Sequence, residues 1–169
     1  MIPKIENILY ATGMGSGTPY VFRYALSLAK KYDAKIHIIH GHEPLASSAQ
    51  SMANLYMGSE TVSDVFDQAV IAAEKSIVQR LERLCTKEIS ADPNGRERVA
   101  SITVAKLPPK QAILEEAEKR NVDLIVMGSH RHSVLADAML GTTTLKVLHR
   151  STVPVLVVRI PDGYKEEGL

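Results

Sequence analysis

Asp123–Met127 reads DLIVM and runs straight into Gly128-Ser129-His130. An unbroken apolar run of this kind does not alternate between core and water. It is the signature of a strand buried on both faces, as in a parallel sheet covered by helices. Working outward, comparable runs stand at Ile8–Ala11 (ILYA), Ile36–His40 (IHIIH) and Pro154–Val158 (PVLVV), and Val99–Val104 alternates as a further strand. Helical patterns separate them. Tyr20–Lys31 carries Val21, Tyr24, Ala25, Leu28 and Ala29 at helical spacing. Thr61 to about Thr86 marks one face with Val65, Ala69, Ala72, Ala73, Ser76, Ile77, Leu81 and Leu84. Gln111–Arg120 continues a helix opened by Pro108 and Pro109, where a missing amide costs nothing. Thr142–His149 places Leu145 and Leu148 inward. Strands alternating with helices predict a single α/β domain with a five-stranded parallel sheet and right-handed crossovers.

Composition bounds the function. Twenty basic and nineteen acidic residues in 169 leave a formal charge of +1, and no local basic run offers a field for a nucleic-acid backbone. No apolar stretch approaches the roughly 20 residues that span a bilayer, and MIPKIENILY has neither the basic nor the apolar region of a signal peptide. The single cysteine, Cys85, lies in an apolar helical context and reads as a small core residue. A cytoplasmic protein is expected, with neither nucleic acid nor membrane as partner.

In open parallel sheets, ligands bind beyond the C-terminal strand ends, where the winding direction reverses. That draws attention to Thr12–Gly17 (TGMGSG), Gly41–Pro44 and Gly128–Gly141. Thr142 opens the last helix, where free amides and the helix dipole favour an anion, and Thr143 adds a hydroxyl. Gly128 would let a ligand approach the backbone at the strand end. The alternative is that Gly141-Thr142 is only a helix start and Gly128 only a turn. TGMGSG has the order Gly-X-Gly-X-Gly rather than that of a dinucleotide fingerprint, and there is no P-loop motif.

DLIVMGSH followed by GTTTLKVLHRSTVPVLVV resembles the C-terminal half of the universal stress proteins, with ILYAT, IIHG and ILEEAEKRNVDLIVMGSH in support. The resemblance implies a Rossmann-like fold of strand order 3-2-1-4-5, usually dimeric, with one branch that binds ATP. It implies a domain over residues 1–160 and does not extend to 43–60, read from its lack of period as a mobile loop insertion, or to the tail over 161–169. That branch carries glycine, two residues, glycine, nine residues, then Gly-Ser or Gly-Thr. Gly128, Gly141 and Thr142 match, while Arg131 replaces the second glycine. Gly13 stands where the branch has an aspartate, and Leu107 where the family usually has a glycine. Arg131 admits three readings: a phosphate clamp, an obstruction to the glycine-like backbone, or a solvated surface arginine. An adenine nucleotide, ATP or AMP, is expected to bind weakly, with contacts from Thr12, Gly13, Gly41, Gly128, Ser129, Arg131, Gly141, Thr142 and Thr143. The second reading is a stress-response dimer that acts without nucleotide, through protein–protein contacts.

Other chemistries have less support. His40, His42, His130 and His132 could gather near the cleft, but no acidic or thiolate partner stands at ligand spacing, so no metal is expected. His37 and His149 read as ordinary strand and helix positions. Ser16, Ser129 and Ser133 lie in no nucleophile elbow, and nothing orders Asp137 and His132 into a triad with a serine. No enzyme is expected, with slow ATP hydrolysis left open. A homodimer through Pro154, Val155, Leu156, Val157 and Val158 is expected, since an unpaired apolar edge invites a partner. The Glu43–Glu60 segment has no clear period and is expected to cover the cleft with Met52, Leu55, Tyr56 and Met57. The tail PDGYKEEGL is expected to be frayed.

Overall fold

The computed structural model describes residues 2–43, 59–90, 92, 94–129, 140–164 and 166, with the backbone alone over 59–67. Five parallel strands form one sheet in the order β3-β2-β1-β4-β5. They are β1 (Asn7–Ala11), β2 (Lys35–Gly41), β3 (Val99–Ala105), β4 (Leu124–Ser129) and β5 (Val155–Arg159). The described helices are α1 (Thr18–Tyr32), α2 (Ser59–Ile89), the single turn α3 (Gly95–Arg98), α4 (Pro109–Lys119) and α5 (Thr142–Leu148). β1 is central, with Ile8 level with both Ile36 of β2 and Leu124 of β4. Asp123 precedes β4 and clamps this centre: its Oδ2 accepts the amides of Glu6 and Asn7 at 2.8 and 2.9 Å.

The central strands are largely apolar because they serve two cores. Ile8, Tyr10, Ile36, Ile38 and Val126 pack with Val21, Phe22 and Ala25 of α1 and with Leu81, Leu84 and Cys85 of α2. Leu9, Ala11, Ile39, Ile125 and Met127 face the other way, against Ala112, Ile113 and Ala117 of α4 and Val147 of α5. β5 divides as the alternation requires: Leu156 and Val158 join the first layer, Val155 and Val157 the second. Burial pushes the Cys85 thiol up to about 12, as befits a core residue.

Several helical expectations need correction. α1 starts at Thr18, and its buried face uses Phe22 while Tyr24 is exposed. α2 extends beyond both expected ends, and Ala69, Ala72, Ala73 and Ser76 are exposed, with Ile71 beside them. Its 31 residues make a rod of about 46 Å, twice the length of a seven-residue strand such as β2. Among its described side chains, Ile77 packs against the core and Leu81, Leu84, Cys85 and Ile89 are buried in it. In α5 the inward residues are Thr144 and Val147, while Leu145 and Leu148 are exposed. The Thr144 hydroxyl donates to the Gly128 carbonyl at 3.3 Å, which sets the rotation of the helix about its axis. The tail is not frayed where it is described: Tyr164 and Glu166 pack back onto α1. The expectation of a mobile 43–60 cover falls on residues 44–58, outside those described.

Candidate functional site

At the C-terminal end of the sheet, α1 leaves β1 for one face while α4 and α5 lie on the other. A cleft of about 370 Å³ opens there, at the reversal of winding where such sheets take ligands. Its floor is the strand ends, Ala11, Ile39 and Met127 among them. One wall is the loop from Thr12 to Thr18, and the other is Gly141–Thr144 at the start of α5.

The β1 wall is closed on itself. Thr12 N donates to Ile39 O at 3.0 Å, Met14 N to Thr12 Oγ1 at 3.2 Å, and the Thr12 and Thr18 hydroxyls lie 3.4 Å apart. The Tyr10 hydroxyl donates to Thr18 O at 2.8 Å, inside a burial that holds its pKa above the usual phenol value. The left-handed residue of this glycine-rich loop is Met14, at φ 60°, and none of its glycines has a positive φ. Met14 packs against the first core layer, and that contact offsets the cost of its backbone.

His40 closes the far corner. Its Nδ1 lies 2.8 Å from Thr12 O. A carbonyl only accepts, so Nδ1 carries the proton and Nε2 of the neutral ring is an acceptor. Burial holds the His40 pKa below the usual imidazole value, against the pull of the Thr12 carbonyl; nearby His42 and Arg80 lower it further. Gly41 is bare because α4 crosses it, where a Cβ would stand 2.7 Å from Ala112 Cβ and 2.9 Å from Pro109 Cα. Leu107, at the position where the resemblance implies glycine, is half-buried against the second core layer.

The α5 wall is open. Gly141 caps the helix, and the first helical bond runs from Leu145 N to Gly141 O at 3.0 Å. The amides of Thr142, Thr143 and Thr144 therefore have no acceptor within the helix. Thr142 is exposed and Thr143 half-buried at the cleft.

Of the residues expected from sequence, Thr12, Gly13, Gly41, Gly128, Gly141, Thr142 and Thr143 line this cleft. Ser129 does not: it is buried, and its Oγ accepts Ile160 N at 3.3 Å. Gly128 also has packing neighbours, since Val21 Cγ2 and Ile160 Cδ1 would lie 3.0 and 3.3 Å from a Cβ there. Arg131, His130, His132, Ser133 and Asp137 lie outside the described residues. Sequence reasoning missed Tyr10, His40 as a hydrogen-bonded wall, and Ile160. Tyr10 and His40 were hidden inside strand patterns, and nothing in the sequence marks Ile160. Among the described lining residues there is no carboxylate, and the described residues contain no cluster suited to a metal ion.

Residues 4–159 match the universal stress protein family. The chain belongs to that family. Universal stress protein A homolog 2 of Coxiella burnetii is 33% identical over 158 residues, covering 92% of this chain and 95% of the relative. The solved structure of the MJ0577 protein superimposes with a TM-score of 0.72 at 18% identity, covering 95% of this chain and all of the other. A universal stress protein solved in complex with cAMP superimposes with a TM-score of 0.59 at 18% identity, over 92% of this chain and 98% of that one. At these identities the structural likenesses establish the fold. No helix among the described residues is long and apolar enough to cross a membrane.

Proposed function

We propose that this chain is a regulatory universal stress protein that takes an adenine nucleotide, ATP or AMP, in the cleft between β1 and β4. The observation that carries the reading is the open start of α5. Three residues whose amides have no helical acceptor, two of them with free hydroxyls, line a cleft with no carboxylate among its described lining residues. Such a wall suits a phosphate, and the apolar strand ends suit a base. The family's cAMP-bound member is a precedent for this class of ligand. Neutral donors without a carboxylate fit binding better than hydrolysis, so we assign no enzymatic step. The protein would act as a homodimer through β5, a sheet edge whose Val155, Leu156 and Val157 are only half-buried in the single chain.

The reading is tested by calorimetry with AMP, ATP and adenosine on the purified protein. Binding of AMP with a weaker response to adenosine supports it. No binding of any of the three supports the second reading, a dimer that acts through protein contacts. Val157→Lys should move the protein towards monomer in sedimentation, and a wild-type chain that sediments as a monomer would remove the dimer.

A further inference from the structure

The chain after β5 runs from the cleft, which Ile160 lines, onto the outer face of α1. Tyr164 N donates to Pro161 O at 3.2 Å, and Gly163 has a φ of +73°, as a tight Pro-Asp-Gly turn requires at its third position. The turn lays Tyr164 on Tyr20, with ring centroids 5.0 Å apart. Arg23 lies one helical turn along α1 on the same face. Its guanidinium reaches the Tyr164 hydroxyl at 3.3 Å and Glu166 Oε1 at 2.7 Å, and it holds Glu88 at the end of α2 through two further bonds. Lys87 Nζ stands 3.3 Å from Glu166, and the Tyr164 hydroxyl also donates to the Glu166 carboxylate.

At its other end the segment enters the cleft itself. Ile160 N is held by Ser129 Oγ at 3.3 Å, and the Ile160 side chain lines the cleft. A Cβ on Gly17 would overlap Ile160 Cδ1, and one on Gly128 would stand 3.3 Å from the same atom. The space left free by these two glycines is therefore filled by the protein's own isoleucine.

We propose that Ile160–Tyr164, together with Glu166, form a strap that competes with ligand for the gap between Gly17 and Gly128. Docked, the strap seats Ile160 there and shortens the cleft; released, it leaves bare backbone on both sides for a ligand to approach. The regulation rests on the cleft being the nucleotide site proposed above. The anchor is suited to release because the two ion pairs that reach the strap are partly exposed: the side chains of Arg23, Lys87 and Glu166 keep 46, 52 and 20% of their surface. Each exposed pair contributes little and is screened by salt, so the strap lifts without unfolding the sheet.

The full chain carrying Tyr164→Ala, which loosens the anchor without changing charge, is compared with Ile160→Ala, which removes the plug. Amide exchange at Ile160 should be about three- to tenfold faster in Tyr164→Ala than in wild type, the size expected from losing a few exposed contacts. Salt near 0.5 M should produce part of that change in the wild type, because screening shortens the reach of exposed charges to a few ångströms. Both variants should bind AMP several-fold more tightly. Equal or weaker AMP binding by both would overturn the proposal, because the strap would then be part of the ligand site. Unchanged exchange at Ile160 in Tyr164→Ala would overturn it as well. Faster exchange with no AMP binding to any form would sink the nucleotide reading while sustaining the strap as the element that seats Ile160.

Discussion

The two walls of the cleft start from similar sequence and end in opposite states. TGMGSG-Thr18 and Gly141-Thr-Thr-Thr144 both bring glycines and hydroxyls to the end of the sheet. In the first, the threonines, the Tyr10 hydroxyl and His40 bond one another and the backbone. In the second, Thr144 turns inward to Gly128, and the first-turn amides with Thr142 and Thr143 are left for something else. The same residue types therefore bond one another on one wall and leave donors without helical acceptors on the other. What decides between them is whether a buried partner is within reach.

The contrast predicts that the closed side is costly to disturb. Gly41→Val should cost about 1–3 kcal/mol, as overpacking does, because the added Cβ meets Pro109 backbone 2.9 Å away rather than a flexible side-chain tip. Thermal melting reads this directly, and an unchanged midpoint would show that α4 is free to shift. Tyr10→Phe should cost about 0.5–1.5 kcal/mol, the net worth of one hydrogen bond, since the Thr18 carbonyl keeps its helical partner.

Acid should act on His40 of that closed wall and on His37, which bonds Asn7 and Ser101 nearer the other end of the sheet. His37 and His40 both titrate below the usual 6.5 in the folded protein, chiefly because burial disfavours their charged forms. The unfolded chain then takes up protons first as pH falls. The stability is complete above 6.5 and is lost as pH drops from there towards the folded values. Glu116 has the opposite shift: burial raises its pKa, but hydrogen bonds from Arg120 and Thr103 together with Lys119 outweigh it and lower the net value. Its contribution is lost only below the ordinary 4.5. The melting temperature should therefore fall between about pH 7.5 and about pH 5.5, and His40→Gln should flatten the slope. A slope unchanged by that substitution would remove His40 from this account.

The smallest effect on stability is expected on the open wall. Thr142→Val should alter stability by less than about 0.5 kcal/mol, as exposed substitutions do, yet weaken AMP binding measurably. A large loss of stability would mean that this wall, too, is structural.

The sheet was legible because double-sided burial leaves few polar residues to confuse the pattern, as in Ile8–Ala11 and Leu124–Met127. Which residues face inward was harder to read at helix ends. In α5, Leu145 and Leu148 look like the apolar stripe, but one hydrogen bond from Thr144 turns the helix so that Thr144 and Val147 are buried instead. In α2, a helix longer than the sheet is wide carries an apolar stripe past the core it serves. Cleft glycines were legible as positions and not as reasons: Gly41 and Gly128 are bare for α4, Val21 and Ile160, contacts between residues far apart in the chain. Ile160 had no local signal, because its place depends on a turn and an arginine anchor that form only when the sheet is complete.

The most direct test is calorimetric titration of the wild-type protein with AMP and with adenosine. A phosphate held by the amides of Thr142–Thr144 predicts saturable AMP binding that weakens at high salt, with adenosine weaker by the loss of a charged hydrogen bond, about 1.5–3 kcal/mol. Equal affinity for the two would contradict the assignment of the α5 wall, and no binding of either would contradict the nucleotide site itself.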